Sequence, residues 1–253
     1  MSRSADIVAA LDDLLVPSDY RDLGPNGLQV PGSQKISRVA TGVSATRALI
    51  ERAVAAQAQL VLVHHGLFWD FHPTGLTSVL AERLRLLLCN DVALAAYHLP
   101  LDAHAVHGNN ALLAEALGCD GHVPFGEYRG SAIGRAGRFA GEGLEIGELL
   151  ARVATATGRP PLLQGDGPER VRTLGIVSGA GADSLAEAAQ LGLDGLLTGE
   201  PREHAMGEAT ERGLHFIAAG HYATETLGVR RLGELLEERF GIEHVWIDEP
   251  NPV

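Results

Sequence analysis

The chain has 253 residues, 45% of them hydrophobic, and its 32 acidic and 20 basic side chains give a formal net charge of −12. This length is enough for one large or two small domains with a buried core. Because Lys35 is the only lysine, no basic patch is available to follow a phosphate backbone, which argues against nucleic acid as a partner. Cys89 and Cys119 are too few for a disulfide framework. No apolar run approaches the roughly 18 residues of a membrane span, so we expect a cytoplasmic protein with no membrane partner and no signal peptide.

The N-terminal segment predicts a helix followed by a loop. Apolar spacing over residues 6–15 is helical, with Asp6 as the N-cap. Turn-forming residues dominate residues 22–32, around a short extended piece. Within that segment, Asn26-Gly27 is either a tight hairpin turn or part of a functional loop.

The next segment predicts a parallel βαβ unit: a strand over residues 39–43, a helix capped by Ser44, and a strand over residues 60–66. The second strand has four consecutive Leu and Val residues, as expected for a strand covered on both faces. It stops on His64 and His65, followed by a glycine. Ligands in α/β sheets collect at the carboxyl ends of strands. The two histidines therefore indicate either a metal site or a hydrogen-bonded pair at the strand end.

An aromatic cluster, residues 67–73, follows directly, although aromatic residues make up only 5% of the chain. The cluster either walls a pocket or covers the end of the sheet as a hydrophobic plug. In the first case, Phe68 and Trp69 are the candidates for stacking on a flat substrate ring.

The middle of the chain continues the alternation and then becomes harder to interpret. Its predicted elements are a helix over residues 76–90, a strand over 92–98 that ends on His98, a helix over 111–117 that stops at Gly118, a short strand and turn over 133–137, a helix over 146–155, and a connecting segment over 159–168. We find no chemical motif between residues 119 and 170.

The last third repeats the plan of the first. The predicted elements are a strand over residues 171–179, a helix over 185–191, a strand over 195–200, a strand over 214–220 that ends before His221, a helix over 228–239, and an edge strand over 245–248. Asp102 lies four residues after His98, and Glu225 lies four residues after His221. This pattern indicates either an internal duplication or a chance similarity of two βαβ units.

The duplication predicts an α/β fold of two similar three-layer α/β/α units, residues 1–125 and 126–253, with the last strand able to pack on the first unit. If the halves face each other about a pseudo-twofold axis, three imidazoles and two carboxylates converge in the cleft between them. Such a set exceeds what one tetrahedral ion needs, so two divalent ions (Zn, Fe, Mn, Co or Ni) fit better. The candidate metal ligands are His64, His65, Asp102, His221 and Glu225. The candidates for carrying protons or orienting ligands are His98, Tyr222 and Thr224, of which His98 and Tyr222 are the catalytic candidates.

Seven motifs along the chain resemble the NIF3-like family of GTP cyclohydrolase I type 2 homologues. They are Pro25-Asn26-Gly27-Leu28-Gln29-Val30, Thr41-Gly42-Val43, Val63-His64-His65-Gly66, His98-Leu99-Pro100-Leu101-Asp102, Gly108-Asn109-Asn110, Gly220-His221-Tyr222-Ala223-Thr224-Glu225 and Asn251-Pro252-Val253. The resemblance covers essentially the whole chain and looks like the compact members without an inserted domain. It implies two divalent metals per chain at the five ligand positions, two similar α/β domains and a homohexameric ring.

Two classes of function remain open. The first is a dinuclear-metal hydrolase in which metal-activated hydroxide attacks the imidazole-ring carbon of GTP, with Phe68 and Trp69 stacking on the base. The second is a metal-binding protein that stores, delivers or senses metal without turnover. Phosphoesterase or amidase chemistry on another substrate is also compatible, since metals do not name the bond they cleave.

Other mechanisms lack their motifs. No P-loop surrounds Lys35, and there is no nucleophile elbow. Residues 178–181, Ser-Gly-Ala-Gly, follow a strand and are either a phosphate cradle or a tight strand-to-helix turn; the turn is favoured.

Overall fold

The computed structural model describes residues 2–253. In chain order its strands are β1 (Ser2–Arg3), β2 (Gly27–Val30), β3 (Lys35–Ile36), β4 (Arg38–Ser44), β5 (Leu60–His65), β6 (Ala93–Ala96), β7 (Cys119–Tyr128), β8 (Ser131–Phe139), β9 (Leu144–Glu145), β10 (Leu162–Gly165), β11 (Arg170–Val171), β12 (Thr173–Val177), β13 (Gly195–Thr198), β14 (His215–Ala218) and β15 (Glu243–Trp246). Its α-helices are α1 (Ser4–Leu15), α2 (Arg47–Ala55), α3 (Ser78–Cys89), α4 (Leu99–Ala103), α5 (Asn109–Leu117), α6 (Ile146–Thr157), α7 (Leu185–Gln190), α8 (Glu203–Arg212), α9 (His221–Thr224) and α10 (Thr226–Phe240).

The protein is a mixed α/β chain that divides into two compact units. The first unit comprises residues 1–101 and 228–249, and the second comprises residues 102–227 and 250–253. The units are therefore discontinuous in sequence, whereas the predicted boundary is a single one, between residues 125 and 126. Among residues 2–253, no helix combines the length and apolarity that crossing a bilayer requires.

The first unit is built on a five-stranded sheet in the order β15-β4-β5-β6-β2. β4, β5 and β6 are parallel to one another, as the βαβ pattern predicted. β2 runs antiparallel beside β6, and β15 lies parallel beside β4 at the sheet edge. The last strand thus joins the sheet of the first unit.

The apolar run of β5 is buried along its length. Val61 and Val63 lie in a hydrophobic cluster with Leu49 of α2 and Leu87 of α3. Leu62, which alternates with them along the strand, is also fully buried. Alternate residues point to opposite faces of a strand, so both faces are covered, as the continuous hydrophobicity predicted.

The second unit is built on a six-stranded sheet in the order β10-β14-β13-β12-β8-β7. β12, β13 and β14 are parallel, and the other neighbours are antiparallel. One cluster packs α5 and α6 against alternate strand residues such as Ile176 and Leu197. A second cluster packs α7 and α8 against the intervening residues, such as Val177 and Leu196. Helices therefore cover both faces of this sheet.

Most of the β structure between residues 119 and 170 was not predicted from the sequence. β7 and β8 form an extended antiparallel hairpin, where only a short strand and turn at residues 133–137 were predicted. β7 carries many exposed positions, so it lacks the apolar run by which strands were recognised. β10 occupies most of the segment interpreted as a connection and pairs with β14.

Two local predictions were wrong, and one of two open alternatives is excluded. The N-cap position of α1 is Arg3, and Asp6 lies in the first turn of the helix, where its negative charge still suits the positive end of the helix dipole. Asn26-Gly27 is not a hairpin turn, because Gly27 begins β2, which pairs with β6. Ser44 does not cap α2; the cap is Thr46, whose side chain accepts a hydrogen bond from the backbone N–H of Leu49.

We expect Thr46→Ala to lower the free energy of unfolding by about 1 kcal/mol through loss of this cap. Thr46→Ser keeps the hydroxyl and should remain near the wild-type value. Urea unfolding followed by circular dichroism measures both. A Thr46→Ala chain as stable as Thr46→Ser would contradict the assignment of the cap.

Candidate functional site

The carboxyl ends of two parallel strands bring three histidines together in the first unit. β5 ends with His64 and His65, and His98 follows β6 after one intervening residue. Ring centroids are 4.6 Å apart for His64 and His65, 5.0 Å for His64 and His98, and 5.5 Å for His65 and His98. One ring nitrogen from each lies within 4.8 Å of the others. We call these three side chains the histidine cluster.

Hydrogen bonds at Nδ1 orient each ring of the cluster. The fully buried His64 has Nδ1 3.0 Å from the carbonyl oxygen of Tyr97. A carbonyl only accepts, so this nitrogen carries a proton, and in the neutral form of the ring the lone pair lies at Nε2. His65 Nδ1 lies 3.1 Å from the hydroxyl of Ser44. The Ser44 hydroxyl can donate or accept, so it orients the His65 ring without fixing its tautomer; a fixed tautomer such as that of His64 is typical of histidines that ligate metal through Nε2.

Asp22 holds the third ring. Its Oδ1 lies 2.7 Å from His98 Nδ1, and its side chain is only 4% exposed. The same carboxylate accepts hydrogen bonds from the backbone N–H of Leu99 at 2.9 Å and from the side chain of Asn26 at 2.9 Å. Burial alone would raise the pKa of Asp22, but these bonds and the charge interaction with His98 outweigh it and lower the pKa to about 2. Asp22 is therefore a carboxylate whose position is strongly determined.

Gln29 supports the loop that follows His65. Its side-chain oxygen accepts from the backbone N–H of Leu67 at 2.8 Å, and its side-chain nitrogen donates to the carbonyl of Pro25 at 2.7 Å. A Cβ at Gly66 would lie 2.3 Å from the Gln29 amide. Gly66 is thus required for close approach of this side chain.

The two predicted stacking residues have different surroundings. The Trp69 ring meets His98 edge-on, with centroids 5.1 Å apart, and lies 5.9 Å from the ring of His65. Phe68 is partly buried and packs against the hydrophobic core of the first unit. Trp69 therefore borders the histidine cluster, whereas Phe68 contributes to the core.

In the second unit, Asp102 is buried and held by the asparagine motif. Its Oδ1 accepts from Asn109 at 2.8 Å and from the Ser178 hydroxyl at 2.9 Å. Asn110 donates to the carbonyl of Asp102 and accepts from the backbone N–H of Ser178. The Gly108-Asn109-Asn110 motif therefore positions this carboxylate.

His221 lies between two carboxylates of the same unit. Its Nδ1 is 2.5 Å from Glu200 Oε1, and its Nε2 is 3.2 Å from Glu225 Oε1. Burial alone would lower the pKa of His221, but hydrogen bonds and charge interactions with Glu225 and Glu200 outweigh it and raise the pKa to about 9. The two carboxylates thus favour positive charge here, carried by a proton or by a metal ion.

Gly179 makes room for this group. A Cβ there would lie 2.3 Å from Glu225 Oε1 and 3.2 Å from His221 Nε2, and the backbone has φ +62°. Its N–H donates to the hydroxyl of Thr224, and that of Gly181 donates to the hydroxyl of Thr198. These amides are engaged within the protein, so residues 178–181 form the tight turn and not a phosphate cradle.

Tyr222 follows His221 in α9 and is buried. Its backbone N–H donates to the carbonyl of Val253 at 3.1 Å. Thr224 is fully buried, and its hydroxyl also contacts the carbonyl of Gly220 at 2.9 Å. Thr224 therefore anchors the turn that carries His221.

Four residues that support these groups escaped the sequence analysis as site residues: Asp22, Ser44, Gly179 and Glu200. Asp22 begins the segment that was noted for its turn formers, and Glu200 ends the strand that was predicted over residues 195–200. Local pattern carries no signal for a partner such as His98, 76 positions away along the chain.

These observations define a mixed α/β protein with clustered histidines and carboxylates that could hold metal ions. The DUF34/NIF3 (NGG1p interacting factor 3) family matches residues 2–252, and the chain belongs to this family. A "GTP cyclohydrolase 1 type 2 homolog" of Pseudomonas aeruginosa is 41% identical over 97% of this chain and 97% of its own length. The protein of the same name from Escherichia coli K12 is 38% identical over 99% of each chain.

Solved structures have the same fold. Protein ybgI, described as of unknown function, matches with a TM-score of 0.93 and 38% identity over 99% of this chain and 100% of that chain. TTHA1606 from Thermus thermophilus matches with a TM-score of 0.90 and 35% identity over 99% and 100% of the two chains. The motif-based resemblance to this family is therefore confirmed.

Proposed function

We propose that this chain is a dinuclear divalent-metal-binding protein and a metal-dependent hydrolase that acts on a purine nucleotide. The observation that carries the proposal is the histidine cluster, in which ring nitrogens lie within 4.8 Å of one another. The name shared by its relatives supports the nucleotide part. The proposed ligands are His64, His65, Asp102, His221 and Glu225.

The donors fit divalent ions of the borderline class. Imidazole suits zinc, iron, manganese, cobalt or nickel, and carboxylates can bridge two such ions. His64 presents Nε2 because its Nδ1 bonds to a carbonyl oxygen. Asp102 is buried with its carboxylate oriented by Asn109 and Ser178. Such support preorganises the ligands.

When bound, divalent ions lower the pKa of water and polarise the bond to be hydrolysed. The chain supplies the rest of the proposed chemistry. Asp22 fixes the ring of His98 through Nδ1, so Nε2 is the atom at which a proton is held or moved. The Trp69 ring beside His98 excludes water from one side of the imidazole. Tyr222 remains a further proposed catalytic residue.

Two other functions use the same donors. A protein that stores, delivers or senses metal would use the same metal ligands but catalyse no reaction. A phosphoesterase or amidase would use them to hydrolyse a different substrate. Formate release from GTP by the metal-loaded chain supports the nucleotide hydrolase. Rapid reversible metal exchange with no nucleotide consumed favours the metal-handling alternative.

Metal content is the first test. Chain purified without chelators or a histidine tag should carry about two equivalents of divalent metal by elemental analysis. The double variant His65→Ala, Glu225→Ala should lose most of it. In a matched control, the exposed residues Glu203 and His204 on α8 are replaced by alanine. This control variant should keep the wild-type metal content. Metal-free wild-type chain that cannot be reloaded would exclude the proposal.

The resemblance also leads us to propose a homohexameric ring in the cytoplasm. Light scattering coupled to size-exclusion chromatography should give about six times the 26.7 kDa chain mass. A monomer or dimer at micromolar concentration would refute the ring.

A further inference from the structure

The segment after the histidine pair presents two stacked aromatic rings, Trp69 and Phe71, which we call the aromatic shelf. Their ring centroids are 5.7 Å apart and their planes differ by 18°, the geometry of offset stacking. Phe71 is 66% exposed. The shelf therefore offers a flat apolar ring to solvent.

The backbone fixes the shelf in place. Trp69 Nε1 donates to the carbonyl of Gly66 at 3.2 Å. The N–H of Asp70 donates to the carbonyl of Leu23 at 2.7 Å. A Cβ at Gly24 would lie 3.4 Å from Trp69 Cε3, so the glycine backbone supports one part of the indole. The exposed ring is thus attached to a rigid base.

The shelf is continuous with the histidine cluster. The Trp69 ring contacts both His98, at about a right angle, and Phe71, which is stacked on it. A ligand stacked on Phe71 would therefore be separated from the imidazoles by the indole of Trp69. The ring of His72 lies 5.0 Å from that of Phe71, with the planes at 81°, and Phe71 nevertheless remains 66% exposed. An exposed single phenylalanine needs no explanation, but one stacked on an anchored indole beside clustered imidazoles has the form of a binding surface.

We propose that the aromatic shelf binds the purine ring of the substrate by stacking, with Phe71 as the contacting residue. The purine class rests on the proposed function; the stacking site rests on the shelf. The assignment replaces Phe68, which packs in the core, and extends the stacking role of Trp69. Because the chain is strongly acidic with a single lysine, ring stacking and not phosphate charge would supply this recognition.

Fluorescence tests the shelf directly, because Trp69 and Trp246 are the only tryptophans. In a Trp246→Phe background, guanosine should change Trp69 emission in a saturable manner. Adding Phe71→Ala should weaken guanosine binding about 10-fold or more, in line with base stacking on aromatic side chains. Phe71→Trp should retain guanosine binding. Because this substitution adds a second fluorescent indole, its binding is measured by saturation-transfer NMR.

Leu76→Ala is the matched control, since Leu76 is equally exposed at 68% and lies outside the shelf. It should leave the guanosine dissociation constant unchanged. Ribose 5-phosphate, which lacks the base, should not bind measurably at the same concentrations. If Trp246→Phe impairs folding, saturation-transfer NMR on chains with native Trp246 gives the same comparison. Equal guanosine affinity of Phe71→Ala and Leu76→Ala, or no guanosine binding at all, would overturn the proposal that the aromatic shelf binds the purine ring.

The proposed stacking site and the proposed hydrolase activity can be tested separately. Guanosine binding is measured on both chelator-treated and metal-loaded chain, without turnover. If guanosine binding depends on Phe71 but the chain releases no formate from GTP, the stacking proposal is supported and the hydrolase proposal is excluded. If the chain releases formate from GTP and Phe71→Ala does not change this activity, the hydrolase proposal is supported and the stacking proposal is excluded.

Discussion

Gly179→Ala is expected to weaken the proposed metal binding and to destabilise the chain, although it adds a single methyl group. The new Cβ would lie 2.3 Å from Glu225 Oε1, so the carboxylate must move away from His221. We expect metal affinity to fall at least about 10-fold, as it does when the groups that orient a ligand are disturbed. Over-packing and the positive φ should together lower the unfolding free energy by about 2–4 kcal/mol.

Gly192→Ala separates crowding from backbone strain. Gly192 has φ +66°, close to the +62° of Gly179, but a Cβ there meets nothing within 4 Å. This variant should lose only about 1 kcal/mol of stability to strain and keep full metal content. Isothermal titration with zinc and urea unfolding measure the two effects. Equal metal affinities in the two variants would show that Glu225 does not depend on the space at Gly179.

Asp22→Asn is expected to be the most damaging conservative change in the first unit. The amide keeps the shape of the carboxylate but loses the charge and one of its acceptors, while His98, Leu99 and Asn26 still require acceptors. Breaking a buried, hydrogen-bonded carboxylate in this way costs about 2–4 kcal/mol. Asp13→Asn, on the exposed side of α1, should cost less than about 0.5 kcal/mol. Equal urea midpoints for the two variants would contradict the role of Asp22.

The same carboxylate makes acid stability predictable. The pKa of Asp22 is lowered from 3.8 to about 2 in the folded chain, so the unfolded state binds its proton more tightly. The stabilisation is fully present above pH 4 and is lost as the pH falls through the folded pKa. It amounts to about 2 kcal/mol. The acid unfolding curve of Asp22→Asn should lack this component between about pH 4 and 2, whereas Asp13→Asn should retain it.

Patterns along the chain predicted most of the elements that carry the candidate site. The apolar run before His64 identified β5, the glycine after α5 identified the helix end, and strand-helix-strand order identified the parallel β4 and β5. These features are local or periodic, so sequence spacing alone is sufficient. The hairpin of β7 and β8 was missed because its exposed residues break the alternation.

The supporting contacts were beyond sequence reasoning for a different reason. Ser44 is a plausible helix cap by residue type, yet its hydroxyl contacts His65, and Thr46 two positions later caps α2. Both residues suit both roles, and only the direction of the chain after β4 selects between them. In the same way, Phe68 and Trp69 are adjacent aromatics, and packing alone sends one into the core and the other to the histidine cluster.

The amino-acid sequence by itself determined the family, the strand-helix-strand unit that carries the histidine pair and the set of candidate ligands, because these depend on residue types and their spacing. Only the tertiary structure decided that Asp22 holds His98, that Glu200 and Glu225 flank His221, that Gly179 makes room for Glu225 and that Phe71 is the exposed ring of the shelf. Each of these contacts joins atoms through side-chain direction and close packing, which sequence separation does not encode.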